Sequence, residues 1–511
     1  MIVKKEGTDK MDLQKALQQF EALAARIRAY GYALSLAGWD IATQTPPKGK
    51  PSAAKASGIL SGEMFQLRTS PEMKEILDTF HKHEAELTDV QRRETELLSE
   101  QLEKLEKIPK DEYQAMAELT STAQFVWEEA KEKNDWSMFK PYLERIVATQ
   151  KRFCQLTHPG LHPYEACLDD YEKKLTIAEL DTFFGAVREK SVPLIQKIAA
   201  SGKKIRKDFL NRSFPTEGQK RVSYKLLGHI GFDLEAGVLA ESEHPFTMDL
   251  SPGDVRLTTH FYECNLTSAI LSTIHEGGHG LYEQHAKASP IVSGSLLDSG
   301  VSMGIHESQS RFYENILGRS QGFWEYVYPM LAEEFPEQLK DVTADEFCQA
   351  INLSAPGLIR IEADELTYNL HIMIRYELEK ALMEDQIQVG DLPKLWNEKY
   401  GEYLNIIPHN DSVGVMQDVH WSGGMIGYFP SYALGNAYGA QLANTMKKTV
   451  DIEAACRKGD LSPISGWLNE HIHQYGELKT PGQLIQDATG EKLNPTYLTD
   501  YLEEKFSKIY F

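Results

Sequence analysis

The sequence predicts an all-α fold with one small β element, and three observations carry that expectation. Apolar residues recur at three- and four-residue steps through most of the 511 residues. Prolines and threonines stand where those periodic runs open or break. One stretch, around residues 241–262, abandons the helical period for short, turn-rich runs.

The first helical run, DLQKALQQFEALAARIRAYGYALSLAGWD from Asp12, stops before TPPKGKP, where Pro46 and Pro47 break it. Three highly charged runs follow: PEMKEILDTFHKHEAEL from Pro71, TDVQRRETELLSEQLEKLEKI from Thr88, and PKDEYQAMAELTSTAQFVWEEAKEKND from Pro109. Their composition is that of long antiparallel helices with a solvated face. After the HPGLHP turn, LTIAELDTFFGAVREKSVPLIQKIAA is helical again. ESEHPFTMDLSPGDVRLTT (Glu241–Thr259) is the expected sheet or extended edge. Helices then resume to the C-terminus, with a glycine-rich interruption at WSGGMIGYFPSYALGNAYG (Trp421–Gly439). Without repeats, low-complexity tracts or a linker, the reading is one domain over 1–511, arranged as two lobes around a cleft.

Hydrophobic residues are 41% and charged residues 25%, ordinary for a soluble globular chain. A net charge of −21 without any Lys/Arg-dense stretch argues against a nucleic-acid partner. No window approaches about 18 uninterrupted apolar residues, so no membrane span is expected. The five cysteines form no CxxC pair and read as free thiols of a reducing, cytoplasmic compartment. Residues 1–10 read as a loose polar lead-in without the apolar core of a secretory signal, and Met11 offers a second start.

The chemistry concentrates in HEGGH, His275–His279. Four residues turn a helix by about 400°, so His275 and His279 share a face about 6 Å apart along the axis, and two imidazoles so spaced can hold one Zn²⁺. Glu276, about 100° round, reaches a water at the metal without binding the metal, as a general base must. The apolar lead-in NLTSAILST buries the helix, and buried histidines need partners. Gly277 and Gly278 cost roughly 2 kcal/mol of helix propensity, which implies something passing close to the helix there. His285 stands where metzincins place a third histidine, but their turning glycine is Tyr282 here. In a continuing helix His285 lies about 9 Å beyond His279 and about 240° round, out of reach. The better third ligand is a carboxylate on a returning helix: Glu307 in GIHESQSRFYENILG, with Glu314 behind it. A closed structural zinc would need a fourth ligand, and Cys264 is the sole cysteine near the motif.

HEGGH followed by HESQS (His306–Ser310) resembles the M32 family of metallocarboxypeptidases. DVRLT (Asp254–Thr258), IRIEAD (Ile359–Asp364) and GVMQDVHW (Gly414–Trp421) match its further motifs in family order, and HPFT and WDIATQTPP are also similar. The resemblance implies a mainly helical, neurolysin-like fold with a deep groove, usually a homodimer. It implies zinc on His275, His279 and Glu307, with cobalt able to substitute, and Glu276 as catalytic base. It also implies removal of single residues from peptide C-termini with broad specificity. An oligopeptidase or dipeptidyl carboxypeptidase of the same fold is the alternative.

A carboxypeptidase must hold a terminal carboxylate, which arginine does with two parallel hydrogen bonds. Arg360 and Arg256 are the candidates, against ordinary salt bridges to Asp364 and Asp254. Gln417, Asp418 and His420 are expected to orient a ligand histidine or bond substrate, and Tyr428 to donate to an oxyanion.

Overall fold

The structure, a computed structural model, describes residues 12–511; the expectations for residues 1–11 lie outside the described residues. It is mainly helical, and the peripheral helices come first. α1 (Leu13–Thr43) starts where the Asp12 carboxylate accepts the Lys15 N–H at 2.8 Å. α2 (Lys50–Arg68), α3 (Pro71–Lys82), α4 (Asp89–Lys107), α5 (Lys110–Lys133) and α6 (Trp136–Thr157) follow. Thr88 and Gln91 form a capping box that fixes the start of α4. α2 has no counterpart among the sequence expectations, because Leu67 is its one buried residue and no apolar stripe marks it. α3 stops at Lys82 rather than Leu87, with a 3₁₀ turn over Glu84–Glu86. Phe20, Ile27, Ile76 and Phe80 belong to an apolar cluster of this N-terminal part, separate from the large core that runs from Leu119 to Tyr510.

α7 (Pro163–Leu168), α8 (Ile177–Ser201) and α9 (Thr216–Ile230) lead to the sheet. β1 (Gly237–Glu241), β2 (Thr247–Ser251) and β3 (Asp254–Thr259) lie in the order β1-β3-β2, with β1 parallel and β2 antiparallel to β3. The sheet thus begins ahead of the expected boundary at Glu241: GVLAE is too short to separate a strand from a helix by period alone.

The sheet packs on α10 (Leu266–Lys287), capped by the Asn265 side chain. α11 (Met303–Arg311) returns along the other side of α10, and the two glycines of HEGGH explain how closely. A Cβ at Gly278 would stand 2.6 Å from Gln309 O and 2.8 Å from Ser310 Cα, so the backbone of HESQS passes there. A Cβ at Gly277 would strike Ile230 Cδ1 of α9 at 2.4 Å. What approaches the helix is therefore the protein itself on two sides.

α12 (Gln321–Glu334), α13 (Pro336–Leu339), α14 (Ala344–Ile351), α15 (Glu365–Met383), α16 (Leu392–Leu404) and α17 (Pro430–Met446) follow, and four more helices carry the chain to Tyr510. α17 corrects the expected glycine-rich interruption, half of which is helix. Its Gly435 sits so close to α11 that a Cβ would meet Glu307 Cγ at 2.4 Å, so the glycine serves helix contact rather than a turn. No helix among the described residues is long and apolar enough to cross a membrane. All five cysteines are free, with Cys154 and Cys167 3.5 Å apart at sulfur.

Candidate metal centre

α10 runs unbroken through Tyr282, so its first-turn geometry holds to the end. His275 and His279 project from one face towards Glu307 of α11. One ligand atom from each of the three lies within 4.8 Å of the others. Glu307 Oε2 is 3.6 Å from His275 Nε2 and 3.4 Å from His279 Nε2. The histidine side chains keep 17% and 16% exposure, enough to admit a water or a carbonyl beside them, while Glu307 is buried.

Electrostatics favour a cation here. Burial alone would raise the pKa of Glu307, but Arg311 and His275 outweigh it and hold the carboxyl far below its ordinary range. Burial drives His279 down to about 3, so its imidazole is neutral and offers a lone pair. Burial works against a charge on His275, but Glu307 and Glu314 outweigh it and raise its pKa, so His275 gives up a proton on binding a metal. Two imidazoles with one ionised carboxylate are a donor set that fits a divalent metal of zinc type and leaves an open position.

The remaining nitrogens are tied back. His275 Nδ1 lies 2.9 Å from Glu314 Oε2, and Glu314 is also held by Arg311 at 3.1 Å and Arg319 at 3.2 Å. Glu314 sits on a π-helical segment, Phe312–Leu317, that continues α11 and returns its side chain to His275. Glu314 is thus a partner of His275 rather than a reserve third ligand. His285 faces away from the centre and meets His473, Nδ1 to Nδ1, at 2.7 Å.

Glu276 is buried beside the cluster. Thr247, the last residue of HPFT and the first of β2, donates its hydroxyl to Glu276 Oε2 at 2.7 Å. Burial raises the Glu276 pKa, with His275 and the Thr247 bond pulling the other way. A carboxyl moved up from its usual range is a better proton acceptor near neutral pH.

The motif residues beyond the metal helix divide into two groups. Arg256 makes the salt bridge anticipated for it, with Nε and Nη2 each 2.8 Å from the Asp254 carboxylate. Arg360 does not pair with Asp364, which instead caps α15 through the Leu366 and Thr367 N–H groups. Its partner is Asp418, Nε to Oδ1 at 2.9 Å, and Asp418 is shared with the fully buried Arg375 at 2.6 Å. Arg360 Nη1 donates to Tyr368 OH at 3.1 Å, and Nη2 has no hydrogen-bond partner among the described residues. The Tyr368 ring also lies 4.4 Å from the Arg311 guanidinium, so one tyrosine separates Arg360 from the arginine that holds Glu307.

Gln417 and Asp418 do not orient a ligand histidine. The Gln417 amide accepts Arg360 N–H at 2.9 Å and donates to Leu358 O and Val413 O, so it clasps the Arg360 loop. His420 Nε2 lies 3.2 Å from Tyr432 OH, and its buried Nδ1 has no partner. Half-buried Tyr428 packs edge-on against Tyr432 and Tyr171. Burial pushes both Tyr428 and Tyr432 up, and both lie within reach of the charges of Glu307 and Arg360. Sequence reasoning missed Arg375, Arg311, Glu283 and the role of His306. Only His306 carried a signal, as the first residue of HESQS.

Comparison with known proteins gives the family. Residues 19–506 match the family model described as carboxypeptidase Taq (M32) metallopeptidase. Carboxypeptidase 1 of Bacillus subtilis is 44% identical over 501 residues, covering 98% of this chain and all of that protein. Thermostable carboxypeptidase 1 of Thermus thermophilus is 38% identical, covering 97% of this chain and 98% of the relative. The crystal structure of the M32 carboxypeptidase from Deinococcus radiodurans superimposes with a TM-score of 0.94 at 33% identity, covering 97% of this chain and 99% of that one.

Proposed function

The chain belongs to the carboxypeptidase Taq (M32) family of metallopeptidases and is a peptide hydrolase, and we propose that it is a zinc enzyme removing single residues from peptide C-termini with broad specificity. The observation that carries this reading is the convergence of His275, His279 and Glu307 next to buried Glu276. Zinc, with cobalt able to substitute, would be held by His275 Nε2, His279 Nε2 and Glu307, and supplies Lewis acidity to the scissile carbonyl and to a water. Glu276 takes the proton of the attacking water and passes it to the leaving amine. Thr247 keeps that carboxylate in place through Oε2. Tyr428 donates to the oxyanion that forms on the scissile carbonyl. β2 is a terminal strand of the sheet and packs against α10 and α1.

Exopeptidase action needs a group that reads the chain end. Arg360 is assigned that role, with Arg256 second: each keeps one Nη without a hydrogen-bond partner among the described residues, and Arg360 stands 4.8 Å from the ring of Tyr432, which packs on Tyr428. Gln417 supports Arg360 from behind, and His420 lies in the same wall. C-terminal amidation of a good substrate is therefore expected to lower kcat/KM by roughly 30- to several-thousand-fold, the cost of truncating one partner of a buried charged contact. Arg360→Ala should cause a similar loss on free-acid peptides and a much smaller further loss on amidated ones, since both changes remove one interaction. Asp418 keeps Arg375 in that variant, which protects the fold. Equal cleavage of amidated and free-acid peptides by the wild type would make the enzyme an oligopeptidase. The same proposal includes a homodimer, as the resemblance implies, and a reducing, cytoplasmic location, supported by the five free thiols.

A further inference from the structure

The two ligand histidines are backed in different ways. His275 reaches a carboxylate directly, Nδ1 to Glu314 Oε2 at 2.9 Å. His279 does not. Its Nδ1 faces another Nδ1, that of His306, at 2.6 Å, and His306 Nε2 lies 2.7 Å from Glu283 Oε1. Glu283 is 2% exposed, and the same Oε1 accepts from Ser299 Oγ at 3.0 Å and Gly300 N–H at 3.1 Å.

A short contact between two ring nitrogens needs one N–H and one bare nitrogen. His279 turns Nε2 to Glu307 and the centre, so a metal ligand at that atom requires the proton on Nδ1. That N–H must then be the donor and His306 Nδ1 the acceptor. His306 is left with its proton on Nε2, which donates to Glu283. With a metal on His279 Nε2, every donor and acceptor along the line is matched by this arrangement. In the opposite arrangement His306 donates through Nδ1 and satisfies Glu283 as well only by carrying both protons, and the His279 proton then sits on Nε2, where a metal belongs.

We propose that His306 and Glu283 are positioning residues that lock His279 in its metal-binding tautomer, with His306 as the hydrogen-bonded link between the ligand and the buried carboxylate. The proposal rests on His279 being a ligand. The surroundings are shaped to hold the link. A Cβ at residue 300 would lie 2.5 Å from His306 Cδ2 and 3.0 Å from Tyr282 Cε1, so Gly300 leaves exactly the room the ring occupies, and the Tyr282 ring packs 5.2 Å from it. The first histidine needs no such link because the π-helical segment returns Glu314 to it.

The test uses full-length protein stripped of metal, titrated with Zn²⁺ against a competing chelator, and separately loaded with Co²⁺ to record its visible absorption. His306→Phe removes the acceptor and is expected to weaken zinc binding about 10–100-fold, the usual cost of losing such a partner, and to shift the cobalt bands. His306→Asn places an amide oxygen near the position of Nδ1 and should recover most of the affinity. Glu283→Gln, nearly isosteric, should weaken zinc about tenfold and guards against a failure of the phenylalanine variant to fold. Wild-type zinc affinity and unchanged cobalt bands in Glu283→Gln, or equal affinities for the folded His306→Phe and His306→Asn variants, would overturn the proposal. His279→Ala serves as control: if it keeps its zinc, the ligand set itself is wrong, whereas its loss alongside intact binding in Glu283→Gln rejects the tautomer lock alone.

Discussion

Replacing His275 or His279 by alanine is expected to remove the metal and with it nearly all peptide hydrolysis. The wild type should carry about one zinc per chain, and either variant close to none by elemental analysis. Lewis acid catalysis is worth several kcal/mol, and 1.36 kcal/mol is tenfold in rate, so the loss should be roughly 10³-fold or more. The fold should survive. Glu307 keeps Arg311 Nε at 2.7 Å in either variant, so no buried carboxylate is left alone. Glu307→Ala should also lose the metal, but it takes from Arg311 one of its two carboxylate partners, leaving Glu314, and is the less clean experiment. A His279→Ala protein with full metal content would contradict the ligand assignment.

Glu276→Gln is expected to separate metal binding from turnover. Glu276 is not one of the three converging ligands, so zinc content should remain at the wild-type level. The amide keeps the shape, and its oxygen still accepts the Thr247 hydroxyl. What it cannot do is take a proton from water and return it to the leaving amine, so kcat should fall roughly 10²–10⁴-fold. Steady-state kinetics on a free-acid peptide, with zinc measured on the same sample, checks this. Wild-type turnover in the variant would place the base elsewhere.

These two expectations were legible in the sequence because they concern positions on one helix. The period of an α-helix fixes His275, Glu276 and His279 relative to one another without knowledge of the fold, and it excluded His285 for the same reason. Glu307 was legible because a returning helix after a loop is a local event. The sheet was legible as a loss of period, though not its first strand. α2 and the start of α17 were not, since one buries too little to leave a pattern and the other hides its helix behind close-packing glycines.

The supporting shell was mostly illegible. Arg360 and its partner Asp418 are 58 residues apart, and no periodicity links them. Glu283 and His306 are separated by a turn-rich loop whose path decides whether they meet. Proximity in sequence instead pointed to Asp364, which the helix start of α15 had already claimed as its cap. Charge pairs that cross the fold depend on packing, which residue type and spacing do not encode.

The central claim is that a metal held by His275, His279 and Glu307 drives removal of one residue at a time from a free C-terminus. Mass spectrometry of one synthetic peptide, incubated with the metal-loaded enzyme, the chelator-stripped enzyme and the stripped enzyme given back Zn²⁺, tests it most directly. The account predicts a ladder of products each shorter by a single C-terminal residue, absent after stripping and restored by zinc. Products shortened by two residues, internal cleavage, or a ladder indifferent to the chelator would contradict it.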